Sequence, residues 1–354
     1  MSSTLDPMRH HRRRRPRVAA VLAVAALLLG ACAGDDATTG PDADADGRTD
    51  AGTDAATELS IAIASFDLAA GEDRRLLAGV FTPDRQLLGF GDVAFQLGYL
   101  GDGSSGETEI DQEVTASFLP VAGMGSGATS DGPTLLDDPD SQGVYAGRVD
   151  FTEPGIYGLR VIAELDDGRR LEGATTFSVA ADRQVPDVGD PAPRTENLTI
   201  ADVEAGRVAP IAVDSRAQDP DAAIPDPQLH DQTVADSLEA GRPVVVAITT
   251  PVYCASRFCG PLTEVMAELA DEYADRADVI HIEVWEDFEE QQLNAAAAEW
   301  IQTEAGGNEP WTFLVDADGA IVARWDNVLD TDELTALLDE LPVIGPPAAA
   351  TTDS

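Results

Sequence analysis

The sequence predicts two folded domains of different class: an all-β sandwich over residues 58–180 and an α/β domain over residues 226–342. Three observations carry that division. Short alternating runs rich in β-branched and aromatic residues, punctuated by Gly, Asp and Pro, fill the first region without a helical period. Near-continuous apolar runs alternating with amphipathic helical stretches fill the second. Between them, residues 181–225 are rich in Pro and Asp, the composition of a linker.

Composition narrows the function classes. The 354 residues carry a formal net charge of −43, with 65 acidic side chains against 22 basic ones, and there is no lysine. Such a surface excludes nucleic acid as a partner and excludes a polybasic membrane contact. The acids are spread over both domains, as on a solvated acidic surface.

The N-terminal region has the layout of an export signal. Arg9, Arg12 to Arg15 and Arg17 precede the apolar stretch Val18 to Leu29, whose 12 residues are too few to span a bilayer. The run Leu29-Gly30-Ala31-Cys32 resembles the bacterial lipobox. That resemblance implies a lipoprotein signal peptide over residues 1–31 and a diacylated Cys32 at the mature N-terminus. It also implies a location on the extracytoplasmic face of the cell membrane. Residues 33–57 hold no aromatic residue, Leu or Ile, so residues 32–57 read as a disordered acidic tether, and residues 343–354 as a disordered tail.

In the all-β region, Leu59-Ser60-Ile61-Ala62-Ile63 opens the alternation, and Val93 to Leu97, Val114 to Phe118 and Ile156 to Val161 continue it. Asp166-Asp167-Gly168 marks a hairpin turn between Leu159 to Ala163 and Leu171 to Val179. The segment Asp150-Phe151-Thr152-Glu153-Pro154-Gly155-Ile156-Tyr157 resembles the corner of bacterial immunoglobulin-like domains. The resemblance implies an immunoglobulin-like sandwich and no particular ligand. The region carries no chemical constellation and reads as a spacer or docking module.

The α/β region begins with a short helix from Thr233 to Ala240, stopped by Gly241-Arg242-Pro243. Val244 to Thr249 has the composition of a strand covered on both faces. The next helix places Leu262, Val265, Met266, Leu269, Ala270 and Tyr273 on one face, with Pro261 in its first turn. Val279 to Trp285 is a strand and Leu293 to Glu304 a helix. Trp311 to Val315 and Ala320 to Trp325 flank an Asp318-Gly319 turn, and a last helix starts at Asp330 with Glu333 three residues on.

With Cys32 lipidated, Cys254 and Cys259 remain as a pair in a compartment that permits disulfides. They lie where the strand Val244 to Thr249 hands over to a helix, and a helix N-terminus favours a thiolate. The order of elements, Cys254 to Pro261, Glu309-Pro310-Trp311-Thr312-Phe313 and the Asp318-Gly319 turn resemble the thioredoxin fold over roughly residues 186–342. Val188-Gly189-Asp190-Pro191-Ala192-Pro193 resembles the opening segment of redoxin-type members. The resemblance implies a thiol–disulfide oxidoreductase in which Pro310 is a cis proline that aligns an extended client. Its partners would be extracytoplasmic protein thiols and disulfides.

The motif departs from the family's Cys-x-x-Cys, and two registers stand open. In one, Cys254 matches the first family cysteine, with Cys259 displaced outward. Alternatively Cys259-Gly260-Pro261 matches Cys-Gly-Pro, with Leu262 at the resolving position. Strand-end spacing favours Cys254 as the attacking thiol and Cys259 as the resolving one; proximity to the helix start favours Cys259 as the more acidic. Arg257 between them can stabilise either thiolate. The buried Asp common six residues before the first cysteine is replaced by Ile248 in one register and Tyr253 in the other. Glu309 would raise a neighbouring thiol's pKa.

A non-enzymatic module with a structural disulfide is the competing class. A Cu(I) carrier similar to Sco-type proteins would use the thiolates of Cys254 and Cys259 together with a histidine. Beyond the leader only His230 and His281 remain, and His281 reads as a core histidine in a strand. No other cofactor is implied.

Overall fold

The computed structural model describes residues 57–103, 109–121, 130, 132–137, 142–302 and 308–345. The leader, Cys32, the tether up to Ala56 and the tail from residue 346 lie outside them; Thr57 belongs to a strand, and of the expected tail Ile344 and Gly345 are held by Asp275 and Arg242. Among the described residues no helix is long and apolar enough to cross a membrane. Residues 54–354 belong to one compact unit.

The N-terminal half is built from β1 (Thr57–Glu58), β2 (Ser60–Ile63), β3 (Gly71–Phe81), β4 (Leu88–Gly89) and β5 (Asp92–Tyr99). It continues with β6 (Gln112–Pro120), β7 (Thr134–Leu135), β8 (Gly143–Phe151), β9 (Gly155–Glu164) and β10 (Arg170–Val179). Eight of these form one sheet in the order β1-β10-β9-β5-β6-β8-β3-β2, and β4 pairs with β7 apart from it. The two edges of the sheet are β1 and β2, which only Leu59 separates in the chain. One extended segment therefore pairs with β10 at its start and with β3 further on. The Leu59 amide donates to the Glu172 carbonyl at 2.8 Å. Opposite it stands Gly173, where a Cβ would collide with the Leu59 backbone.

The sheet thus curls into a nearly closed, barrel-like structure. This corrects the expected immunoglobulin-like sandwich of two sheets. Inward and outward residues alternate along strands identically in both architectures, so alternation does not report which edges meet. Leu76, Phe95, Tyr145, Leu159 and Leu171 fill the interior. The expected Gly-x-Tyr corner is present: the Tyr157 hydroxyl donates to the Glu153 carbonyl at 2.9 Å. Gly168, at φ +84°, makes the β9–β10 turn.

The C-terminal half contains α1 (Ile200–Glu204), α2 (Val234–Glu239), β11 (Val244–Thr249), α3 (Cys259–Glu272) and β12 (Asp278–Glu283). There follow β13 (Trp285–Asp287), β14 (Gln292–Leu293), β15 (Trp311–Val315), β16 (Ile321–Asp326) and α4 (Thr331–Glu340). The main sheet runs β12-β11-β15-β16, with β11 parallel to β12 and antiparallel to β15. One face, through Val245, Ala247 and Val279, packs on Leu262 and Met266 of α3 and Leu334 and Leu338 of α4. The other, through Val246, Ile248 and Phe313, meets Val234 of α2 and Trp300. The Asp330 carboxylate caps α4 by accepting from the Glu333 amide at 2.9 Å.

The expected thioredoxin-like α/β fold is also corrected. The helix predicted over Leu293 to Glu304 is absent among the described residues: β14 pairs with β13, and a 3-10 turn, Ala297–Glu299, follows. Among the described residues no full crossover helix joins β12 to β15, and the regular α/β alternation is lost. Helix propensity in the alanine run gives way to tertiary contacts. The Asn294 amide donates to the Val284 carbonyl at 2.8 Å, and the buried Trp300 indole donates to Thr195 Oγ1 at 2.8 Å.

The barrel and the C-terminal sheet share a polar interface. Arg75 donates to the Val328 carbonyl at 2.6 Å and pairs with Asp326, whose carboxylate also accepts from the Phe66 amide. Arg324 pairs with Asp67 at 2.9 Å and lies over the Trp311 ring. Beside these, Leu77, Val121 and Val144 of the barrel pack with Val328 and Phe258.

Candidate functional site

Cys254 and Cys259 are joined as a disulfide with Cα atoms 6.0 Å apart. The local chain explains the approach. After β11, the Cys254 amide donates to the Thr250 carbonyl at 3.1 Å, folding residues 250–254 into a turn. Arg257 adopts φ +66° and returns its amide toward the Cys254 carbonyl. The chain then enters α3, whose first residue is Cys259.

The two sulfurs differ in setting. Cys259 is 0% exposed, whereas Cys254 is half-buried and contacts Ser256 Oγ at 3.2 Å. Arg257 is exposed and pairs with no carboxylate among the described residues. Pro310 is buried and follows a cis peptide bond from Glu309. Trp311 pairs with Ile248, so the antiparallel register brings Pro310 level with Thr249, at the disulfide end of the sheet. Burial pushes the Glu309 carboxyl up to about 7. Cys32 lies outside the described residues.

Beneath the disulfide runs a buried polar network that sequence reasoning missed. Thr263, one turn along α3, donates to the Cys259 carbonyl at 2.8 Å. Its Oγ1 lies 2.7 Å from Thr249 Oγ1, which in turn lies 2.8 Å from His281 Nε2. The His281 Nδ1 faces Asp214 Oδ2 at 3.9 Å, and His230 Nε2 lies 3.4 Å from the same oxygen. Arg216 holds both Asp214 oxygens, at 3.0 Å to Oδ1 and 2.6 Å to Oδ2. Burial drives His281 down to about 3, keeping it neutral, against the pull of Asp214. Burial works to raise the Asp214 carboxyl, but the neighbouring His230 and the Arg216 guanidinium hold it well below the usual carboxylate range.

A second buried carboxyl, Glu283, stands beside Thr249 in the β11–β12 register. It accepts from the Ser215 amide at 2.8 Å and from the Trp285 amide at 3.3 Å, while burial pushes it up to about 7. Ser215 Oγ accepts from the Val252 amide, tying this group to the disulfide loop. On the outer side, Tyr253 stacks on Phe288 at 4.1 Å, bringing the acidic segment Glu286 to Glu290 alongside. The only advance signals were His230 and His281 as isolated histidines; Asp214 and Ser215 sit in a stretch whose composition marks a linker.

No protein-family model matches the chain, and no curated protein matches it. Among solved structures it has a likeness to MtrC from Shewanella baltica OS185, at 15% identity and a TM-score of 0.20. The match takes in 35% of this chain and 22% of that one, so the chain spans about a fifth of that protein's length. A likeness of this degree carries no argument about fold or function.

Proposed function

We propose that Cys254 and Cys259 form a redox-active pair that exchanges disulfides with protein thiols, on a chain exported and anchored through a lipid on Cys32. The observation that supports this is the asymmetry of the pair. Cys254 is half-buried on a turn flanked by exposed residues, and Cys259 is buried at the first position of a 14-residue helix. The helix N-terminus carries partial positive charge and unpaired amides, which favour the Cys259 thiolate by about 0.3–1 kcal/mol.

The chemistry follows from that asymmetry. A client thiolate attacks the less buried Cys254 sulfur; the Cys254–Cys259 bond breaks, and Cys259 leaves as the thiolate that the helix stabilises. A second client thiolate then attacks the client sulfur of the mixed disulfide and releases Cys254. The client dithiol loses two electrons and the protein disulfide gains them. In reverse, the Cys254 thiolate attacks a client disulfide and Cys259 resolves the intermediate.

Trapping tests this reading. Cys259→Ser, with Cys254 left free, is expected to accumulate mixed disulfides with exported proteins, and Cys254→Ser is not. Equal trapping by both variants, or by neither, would overturn the proposal in favour of a structural bridge.

A further inference from the structure

We infer that Asp214, His230 and His281 form a binding site for one divalent transition-metal ion of the zinc, cobalt or ferrous class. The proposal does not rest on thiol exchange. It rests on the direction of a hydrogen-bond chain and on what that direction leaves unpaired.

The Cys259 carbonyl can only accept, so the single hydroxyl proton of Thr263 is committed to it at 2.8 Å. Thr263 Oγ1 must then accept from Thr249, whose own proton is thereby committed. Thr249 Oγ1 in turn accepts from His281 Nε2, so Nε2 carries the ring hydrogen. The Thr249 carbonyl, another pure acceptor at 3.3 Å from Nε2, agrees with that tautomer. In the neutral ring Nδ1 therefore holds a bare lone pair, and it faces the Asp214 carboxylate 3.9 Å away. Two acceptors facing each other in a buried site leave both lone pairs unsatisfied, a gap that a bound cation would fill.

His230 supplies the third donor. Its Nε2 is 3.4 Å from Asp214 Oδ2, and its ring meets that of His281 edge to face at 5.1 Å. The side chains of all three residues are 0% exposed. Both His230 nitrogens and His281 Nδ1 lack hydrogen-bond partners. One donor atom from each residue lies within 4.8 Å of the others. A four-coordinate ion with bonds of 2.0–2.2 Å spaces its donors about 3.4 Å apart, and the Asp214 oxygen stands 3.4 Å from His230 Nε2 and 3.9 Å from His281 Nδ1.

The surroundings fit ligation. Metal-bound histidines donate their remote N–H to an oxygen, as His281 does to Thr249, and bound carboxylates are themselves hydrogen-bonded. Arg216 takes one edge of Asp214 and leaves the second lone pair of Oδ2 directed at the histidines. Two imidazoles and one carboxylate select borderline transition metals over calcium or magnesium, which prefer all-oxygen shells. Three protein donors leave a fourth position for water or a small anion.

The test uses the full chain in its oxidised form, stripped with chelator and titrated with Co²⁺ or Zn²⁺. One equivalent per chain is expected, with a rise in melting temperature that grows with free metal. His230→Gln and His281→Gln should each weaken binding at least tenfold, and the Cys254→Ser/Cys259→Ser double variant should leave it intact. Should the histidine variants fold poorly, the Co²⁺-loaded native chain still decides, because two paramagnetically shifted imidazole N–H proton signals are expected. Any one of three results would overturn the proposal: no binding of Co²⁺ or Zn²⁺, binding that survives both histidine changes, or binding lost in the cysteine double variant alone. A doubly protonated His281 in imidazole NMR of the metal-free chain would also overturn it, since a proton would then be the missing cation.

Discussion

Reducing the Cys254–Cys259 bond should destabilise the chain only slightly, and by less at alkaline pH. The bond closes a loop of residues five positions apart, and the loop-entropy model assigns so short a closure about 2 kcal/mol. Against this stands the reduced form's own stabilisation. Cys259 occupies the first position of α3, where a thiolate gains roughly 1 kcal/mol from the helix terminus. The thiolate is favoured in the fold relative to the unfolded chain, so folding the reduced chain releases a proton, and its stability rises with pH. The stability gap between oxidised and reduced forms should accordingly be about 2 kcal/mol near pH 5.5 and about 1 kcal/mol near pH 9.5, above the unfolded thiol's pKa of about 8.5. Urea unfolding of both forms at the two pH values, with reductant maintained in one series, measures it. A gap of about 3 kcal/mol or more that does not change with pH would refute the reasoning, because the bond would then act as a staple whose thiols gain nothing from the helix.

Three further outcomes follow from the geometry. Arg75→Met removes the cation that bridges the barrel to Asp326 and the Val328 carbonyl, leaving a buried carboxylate short of its partner. A loss of about 2–4 kcal/mol is expected in thermal unfolding, and a change under 1 kcal/mol would mean the interface is wetter than it looks. Glu309, raised to about 7, holds its proton in the fold while the unfolded chain releases it near 4.5, so stability falls as pH rises through that window. Because Glu309 is only part-buried, its share is roughly 1–2 kcal/mol; Glu309→Gln should remove that share of the slope, to which Glu283 adds and which the depressed His281 opposes below about pH 6.5. Finally, with a formal charge of −43 and the acidic segment Glu286 to Glu290 beside Tyr253, the reduced chain should react slowly with an anionic aromatic disulfide at low salt. Stopped-flow rates should rise several-fold toward about 0.5 M salt, where screening reaches a few ångströms; salt-independent rates would show that the loop does not feel the field.

The sequence made local elements legible and misjudged how they close. Pro261 and the apolar face from Leu262 to Tyr273 located α3 correctly, and Val244 to Thr249 did the same for β11. The Glu309-Pro310 bond is cis as the resemblance implied. The barrel escaped because its closure depends on Leu59, one residue shared between two sheet edges, and on Gly173, whose missing Cβ admits that backbone. Both signals are long-range. The helix over Leu293 to Glu304 failed because the Asn294 amide donates to the Val284 carbonyl and the Trp300 indole to Thr195, partners outside the segment that propensity does not count. The polar network under Cys259 was illegible for the same reason. Asp214, Thr249, Thr263 and His281 come from four separate stretches, and only the stacking of the segment 210–230, β11, β12 and α3 brings them together.

That stacking gives the barrel a part beyond the spacer role its composition suggested. Phe258 directly precedes Cys259 and packs among Leu77, Val121 and Val144 of the barrel. The start of α3 is thereby fixed from two sides: by Phe258 on the barrel and by Thr263 beneath, which ties the Cys259 carbonyl to Thr249. Cys254 is held through its neighbours, the Val252 amide on Ser215 Oγ and Tyr253 on Phe288, while Val252, Ala255 and Arg257 of its turn are exposed. When the disulfide opens, the anchored sulfur must stay at the helix terminus while the Cys254 turn is the part able to move. A pair built in this way keeps its resolving thiol positioned through the mixed-disulfide stage, because the resolving attack is intramolecular and depends on proximity. A structural bridge would need no such division, since each end would serve the other as anchor. The asymmetric anchoring, set by contacts from both halves of the chain, is therefore what ties the barrel to the proposed chemistry.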